Sequence, residues 1–153
     1  MKKRFVTHDT FTIEKNYNVS PERVFTAWLD SEEKAQWFQK AEEFDFRVDG
    51  RERNIGGPPG GPVFTQDARY LEIVPDQRIV YSYTMDMDET RVSVSVTTVE
   101  FKPAEDGTQL IFTEQGAFLD GHDSPADRLH GTKFLLDKLG EYLQKESTVE
   151  KNQ

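Results

Sequence analysis

The carboxylate with the most telling position in this chain is Glu114. It follows Leu110 and Phe112 at alternate positions, so a strand that buries those two side chains turns Glu114 to the same side. A carboxylate on an apolar face needs a cation, hydrogen-bond donors or a raised pKa. Arg51 and Lys138 are the candidate partners. With a tyrosine or with His130, Glu114 could anchor a ligand hydroxyl or serve as a general base. The alternative is a structural ion pair, or a strand end already in water. The other groups able to do chemistry are sparser. His122, Asp123 and His130 are metal-ligand types, but His122 and His130 do not fall on adjacent helical turns and a third ligand is missing. His8 reads as a surface residue of the first strand. Ser82, Ser93, Ser95 and Ser124 lack the Gly-x-Ser-x-Gly context of a nucleophile elbow. The acids Glu42-Glu43, Asp86, Asp88, Glu89, Asp120 and Asp123 lie in expected loops and read as solvated. No metal or cofactor is expected.

Aromatic residues are the second resource. The chain has 11 Phe, 5 Tyr and 2 Trp. Alternation and helical spacing place Trp28, Trp37, Phe46, Tyr70, Tyr81, Tyr83, Phe112, Phe118 and Phe134 on inward faces. Such a set can line a pocket for a flat apolar ligand, the Tyr hydroxyls orienting it. Ordinary core packing is the competing reading for each residue alone. His130, early in the last helix, is placed at the pocket mouth.

Composition excludes several function classes. The 153 residues carry 28 carboxylates against 19 Lys plus Arg, a net charge of −9. No basic stripe stands out, so neither a nucleic-acid backbone nor an anionic lipid surface is an expected partner. There is no cysteine, which removes disulfide and thiolate chemistry. Met1-Lys2-Lys3-Arg4 begins like a signal peptide, but Phe5 to Thr10 is not the apolar run that must follow. No stretch has the apolar length to insert into a bilayer. The expectation is a soluble, cytoplasmic, single domain over 1–153, its core about 8–145 and its polar tail from 146 disordered.

The elements that must position these groups can be read in order. Phe11, Ile13, Tyr17 and Val19 alternate as a first strand. Ser20 then suits a helix N-cap, Pro21 the first helical position and Glu22 the positive end of the dipole. A second short helix ends at Trp37-Phe38. Phe44 to Val48 alternates and stops at Asp49-Gly50, a turn pair. Gly56-Gly57-Pro58-Pro59-Gly60-Gly61-Pro62 separates two strand-like runs and reads as a hairpin loop. It lacks the Lys-Ser/Thr of a phosphate loop, and its prolines remove N–H donors. Val63 to Val74 is a strand stopped by Pro75-Asp76, and Ile79, Tyr81, Tyr83 and Met85 share a parity. Val92, Val94 and Val96 alternate on one parity and Val99 and Phe101 on the other, so a bulge is expected near Thr97-Thr98. Asp106-Gly107 turns the chain into Leu110, Phe112 and Glu114. Ser124-Pro125-Ala126-Asp127 caps a long helix, whose Leu129, Thr132, Leu136, Leu139 and Leu143 fall at helical spacing. Phe134, Leu135 and Tyr142 broaden that face. The whole is an α+β domain.

Val19-Ser20-Pro21-Glu22-Arg23-Val24-Phe25-Thr26-Ala27-Trp28, with Asp30, Glu32 and Trp37-Phe38, resembles the opening of the SRPBCC (START/Bet v 1-like) superfamily. The similarity is to the branch named after the activator of Hsp90 ATPase homologue 1. Val48-Asp49-Gly50-Arg51, Tyr70 to Tyr81, Gly107 to Leu110, Glu114-Gln115-Gly116 and His130-Gly131-Thr132 resemble later motifs of that branch, and the likeness covers about residues 8–145. It implies a helix-grip fold: a curved antiparallel sheet of six to seven strands around a long C-terminal helix, with two short helices after strand 1. It also implies an apolar cavity between sheet and helix that takes a small hydrophobic molecule, lipid-like or aromatic. Some members of the superfamily are cyclases or hydrolases, and the namesake stimulates a chaperone ATPase, so a chaperone partner is implied by name only. An exposed sheet edge could pair two copies as a homodimer. Two departures stand out. The branch usually has Trp after the helix glycine, where this chain has Thr132, and often His where it has Glu114. The first opens space in the cavity and the second changes its polarity.

Overall fold

The computed structural model describes residues 3–151, with side chains described through Glu146. The chain runs β1 (Val6–Tyr17), α1 (Pro21–Leu29), α2 (Ser31–Trp37), β2 (Glu43–Phe44), β3 (Arg51–Gly56), β4 (Phe64–Val74), β5 (Arg78–Met87), β6 (Thr90–Ala104), β7 (Gly107–Leu119) and α3 (Pro125–Lys151). All seven strands form one sheet in the order β1-β7-β6-β5-β4-β3-β2. Every neighbouring pair is antiparallel. Helix α3 seats Leu136, Leu139 and Leu143 in the same core as Ile13, Tyr17, Val99, Phe101 and Leu110. This is the helix-grip architecture expected.

The two short helices are set by their caps. Ser20 Oγ accepts from the Arg23 N–H at 3.2 Å with Pro21 at the first helical position, satisfying a donor that the first turn leaves open. Asp30 serves both helices. Its N–H donates to the Thr26 carbonyl at 3.0 Å, and its Oδ1 accepts from the Glu32 N–H at 2.9 Å. One residue thus ends α1 and starts α2, which fixes the angle at which Trp28 meets Trp37. Their rings lie 4.9 Å apart at 60°, an edge-to-face contact. Trp37 Nε1 donates to the Ala27 carbonyl at 3.0 Å and closes the corner.

The strands depart from expectation in two places. The bulge expected at Thr97-Thr98 is absent: β6 and β7 pair without a break from Ser93↔Phe118 to Ala104↔Gly107. The inward residues are Ser93, Ser95, Thr97, Val99 and Phe101, while Val94 and Val96 are 42% and 38% exposed on the outer face. Val92, at an irregularity ahead of them, is buried as expected; reading Val94 and Val96 onto the same face was the error. The inner face of this half-strand is polar because it meets charged groups, described below. The irregularities sit instead at Met85/Asp86, where Val92 of β6 has no opposite residue, and at Tyr70/Glu72, where Leu71 is skipped. Second, the alternation from Phe44 to Val48 yields only the two-residue β2. The chain then turns, with Gly50 N–H on the Arg47 carbonyl at 2.8 Å. Asp49 there adopts φ 68°, and a Cβ on Gly50 would lie 2.0 Å from the Asp45 carbonyl oxygen. Helix α3 runs on as helical backbone through Lys151; positions 152–153 of the tail lie outside the described residues.

The register of α3 corrects two more expectations. Phe134 is 63% exposed and His130 is exposed as well. At 3.6 residues per turn, a position two away from Thr132 lies on roughly the opposite side of the helix. His130, Phe134 and Lys138 therefore share the outer stripe, and the Lys138 ammonium sits 5.5 Å over the Phe134 ring. The stripe that faces the sheet is Arg128, Thr132, Leu136, Leu139 and Leu143.

Candidate functional site

Between the concave sheet and the first half of α3 lies a cavity of about 450 Å³. Its walls include Trp28 and Trp37 from the short helices, Tyr81, Tyr83 and Met85 from β5, Phe112 and Glu114 from β7, and Thr132, Leu135 and Leu136 from α3. It reaches the surface between Gly57 and Phe64 on one side and Asp127 and Gly131 on the other, all four exposed. Six of the residues expected at such a site are thus brought together: Trp28, Trp37, Tyr81, Tyr83, Phe112 and Glu114. The other five are elsewhere. Phe46 packs against Phe25 and Tyr70, with ring centroids 5.8 and 4.8 Å away. Tyr70 sits behind the wall. Phe118 lies beneath the Arg128 guanidinium at 5.2 Å. His130 and Phe134 point outward.

Glu114 is only 2% exposed. Its partner is neither Arg51 nor Lys138. Arg51 Nε donates to Asp67 Oδ1 at 2.8 Å on the outside of the sheet. Arg128 Nη1 reaches Glu114 Oε2 at 3.2 Å and Tyr83 Oη at 2.7 Å; its Nη2 donates to Ser93 Oγ and Asp123 Oδ2 at 2.8 and 2.7 Å. Glu114 also accepts from the Tyr83 hydroxyl at 2.8 Å, from Thr97 Oγ1 at 3.4 Å and from Ser95 Oγ at 3.5 Å. The polar inner half of β6 is explained: Ser93, Ser95 and Thr97 solvate a buried ion pair. A charge removed from water is tolerated only with such partners. Burial lowers the Arg128 pKa, but its interactions with Tyr83, Glu114 and Asp123 outweigh it and hold it above its ordinary value. Because Glu114 is held by four donors and His130 faces outward, the acid–base pair between them is not formed.

A second buried charge pair was not expected from the sequence. Lys34 Nζ donates to Glu52 Oε1 at 2.7 Å, Asn54 Nδ2 donates to Glu52 Oε2 at 2.7 Å, and the Tyr70 hydroxyl donates to Glu52. The Lys34 ammonium lies 5.3 Å from the Trp28 ring and 5.6 Å from the rings of Phe38 and Phe44, within cation–π range. Burial pushes the Glu52 carboxyl up, but the Lys34 charge and the hydrogen bonds from Lys34, Tyr70 and Asn54 outweigh it and leave it below the ordinary carboxylate value. Lys34, Glu52 and Asn54 all border the cavity. Tyr70, Tyr81 and Tyr83 bridge the two charged clusters, with successive centroids 6.0 and 6.1 Å apart. Burial raises the pKa of all three phenols, and the nearby carboxylates raise it further. They stay neutral and remain hydrogen-bond donors.

Two buried polar atoms on cavity residues have no hydrogen-bond partner: Trp28 Nε1, a donor, and Asn54 Oδ1, an acceptor. Among the described residues no cluster of three or more His, Asp or Glu could hold a metal ion, and no helix is long and apolar enough to cross a membrane.

An uncharacterised protein from Rhizobium leguminosarum has a similar structure at 41% identity, covering 94% of this chain and 99% of that one, with a TM-score of 0.88. A protein from Rhizobium loti matches at 46% identity over 90% of this chain and 99% of its own, TM-score 0.87. A protein of unknown function from Staphylococcus aureus matches at 25% identity over 94% and 98%, TM-score 0.73. No curated protein matches the chain. The family described as "Activator of Hsp90 ATPase homolog 1-like protein" matches residues 18–144. That span holds the short helices, the strands from β2 to β7 and the cavity-facing half of α3, and the chain belongs to this family.

Proposed function

We propose that this protein binds a small, mainly apolar molecule in the cavity between the sheet and α3. The observation that carries the reading is the cavity: about 450 Å³ in an interior that proteins otherwise fill to crystal-like density. That volume lies in the range of small-molecule sites. Aromatic and aliphatic side chains share the walls with polar ones, of which Lys34, Glu52, Asn54, Glu114, Asp123 and Arg128 hold one another in place. Such a set orients a ligand without having to reorganise around it.

Thr132 supplies the test. Its side chain borders the cavity, and its hydroxyl is spent on the Arg128 carbonyl at 2.9 Å. Thr132→Trp would drive an indole into the space. Wild-type protein should take up the neutral fluorescent probe N-phenylnaphthylamine. The variant should bind it at least about tenfold more weakly, a loss of about 1.4 kcal/mol, while melting no lower than wild type. Unchanged uptake by the variant, or no uptake by the wild type, would refute the reading.

A further inference from the structure

The charges around the cavity are unbalanced. Four carboxylates border it, those of Glu52, Glu114, Asp123 and Asp127, against the two cations Lys34 and Arg128. Both cations are already committed. Lys34 is paired with Glu52, and Arg128 with Glu114 and Asp123. Asp127, exposed at the mouth, makes no ion pair among the described residues. An incoming anion therefore meets no free cation among the described cavity residues, an unpaired carboxylate at the entrance, and a chain of net charge −9. An alcohol brings no charge to this site and an amine brings the opposite charge, while a carboxylate adds a like charge and offers no hydrogen-bond donor.

We infer that the cavity takes an apolar ligand whose polar group is a hydroxyl or an amine, and rejects one that ends in a carboxylate or a phosphate. This deepens the binding reading and rests on it. The physical reason is that like charges brought together in a partly desolvated site repel strongly, and no counter-charge here is available to change partners without stranding Glu52 or Glu114. Selectivity by an unfavourable charge is a common route to specificity.

Three probes with one body separate the charge from the shape: phenylbutyrate, phenylbutanol and phenylbutylamine, which are anionic, neutral and cationic at pH 7. Both tryptophans of the chain border the cavity, so quenching of intrinsic fluorescence reports occupancy, with calorimetry as a second readout. The carboxylate should bind at least about tenfold more weakly than the alcohol and the amine. In Asp127→Lys, at an exposed position, the ratio of carboxylate to alcohol dissociation constants should fall about threefold or more. Asp127→Asn should give a smaller fall in the same direction. Equal or tighter binding of the carboxylate by wild type overturns the selectivity and leaves the binding reading standing. A ratio unchanged in both variants overturns its electrostatic origin. If none of the three binds, the binding reading fails and this inference with it.

Discussion

Replacing Lys34 by methionine tests the less obvious of the two buried charge pairs. Methionine keeps much of the aliphatic stem and removes the ammonium. Glu52 is then left 3% exposed with two neutral donors, Asn54 Nδ2 at 2.7 Å and the Tyr70 hydroxyl. Breaking a buried pair by removing one partner costs about 3–5 kcal/mol, because the remaining charge is stranded. At about 2–4 °C per kcal/mol for a chain of this size, the melting temperature at pH 7 should fall by roughly 10 °C. The pH dependence carries a sign. In the wild type Glu52 is held below its ordinary value by Lys34, Tyr70 and Asn54. Its pair therefore contributes stability above the unfolded-state value near 4.3, and that contribution is lost as pH falls through the lower folded value. Lys34→Met lacks the contribution. The gap between the two proteins should be widest near neutrality and should shrink as pH falls through the raised value of the stranded Glu52 in the variant and on through the lowered value of the wild type. The double variant Lys34→Met, Glu52→Gln should recover much of the loss, since a neutral amide still meets its neighbours and strands no charge. Urea melts at a series of pH values measure all three. A single variant within about 1 kcal/mol of wild type at pH 7, or a gap that is flat with pH, would show that the pair is not the desolvated contact described here.

Arg128→Met should destabilise by about 3 kcal/mol at pH 7, since Glu114, Tyr83, Ser93 and Asp123 all lose a donor; an unchanged urea midpoint would contradict the network. Tyr17→Phe removes the hydroxyl that donates to the Leu136 carbonyl at 2.8 Å and should cost about 1 kcal/mol. That small loss should appear as a modest drop in melting temperature; a drop as large as that of Arg128→Met would mean that Tyr17 holds α3 by more than one bond. Thr132→Trp should weaken probe uptake at least about tenfold without lowering the melting temperature, and the phenylbutyl series should rank the anion last.

Local signals were readable wherever a short stretch of chain decides its own conformation. Ser20-Pro21-Glu22 and Asp30 cap the short helices through atoms two or three residues away. Pro75-Asp76 and Asp106-Gly107 make turns because Asp76 accepts φ 65° and Gly107 φ 148°. The inward direction of Glu114 followed from the two-residue period of a strand. The same rule misled on β6, where Val94 and Val96 were taken for the buried face along with Val92, which alone of the three is buried. Alternation shows that two faces differ, but not which one is inside when the inner face is polar. On α3, Phe134 was placed inward for its hydrophobicity against the phase of Leu136, Leu139 and Leu143. Extending that phase back by four residues from Thr132 reaches Arg128, so the partner of Glu114 was within reach of the sequence. Lys34 with Glu52 was not: the two belong to a helix and a strand 18 residues apart, in stretches polar on both sides.

The sequence by itself therefore determined the succession of elements, most of their ends, and an acidic chain with a carboxylate turned inward. Those properties depend on backbone preference, periodicity and composition, which act over a few residues or over the whole chain. Only the tertiary structure decided which charges pair, that Arg128 rather than Arg51 or Lys138 meets Glu114, and that a cavity survives beside them. Pairing and empty volume depend on the distance between elements remote in sequence, and that distance is set when the seven strands curve around α3.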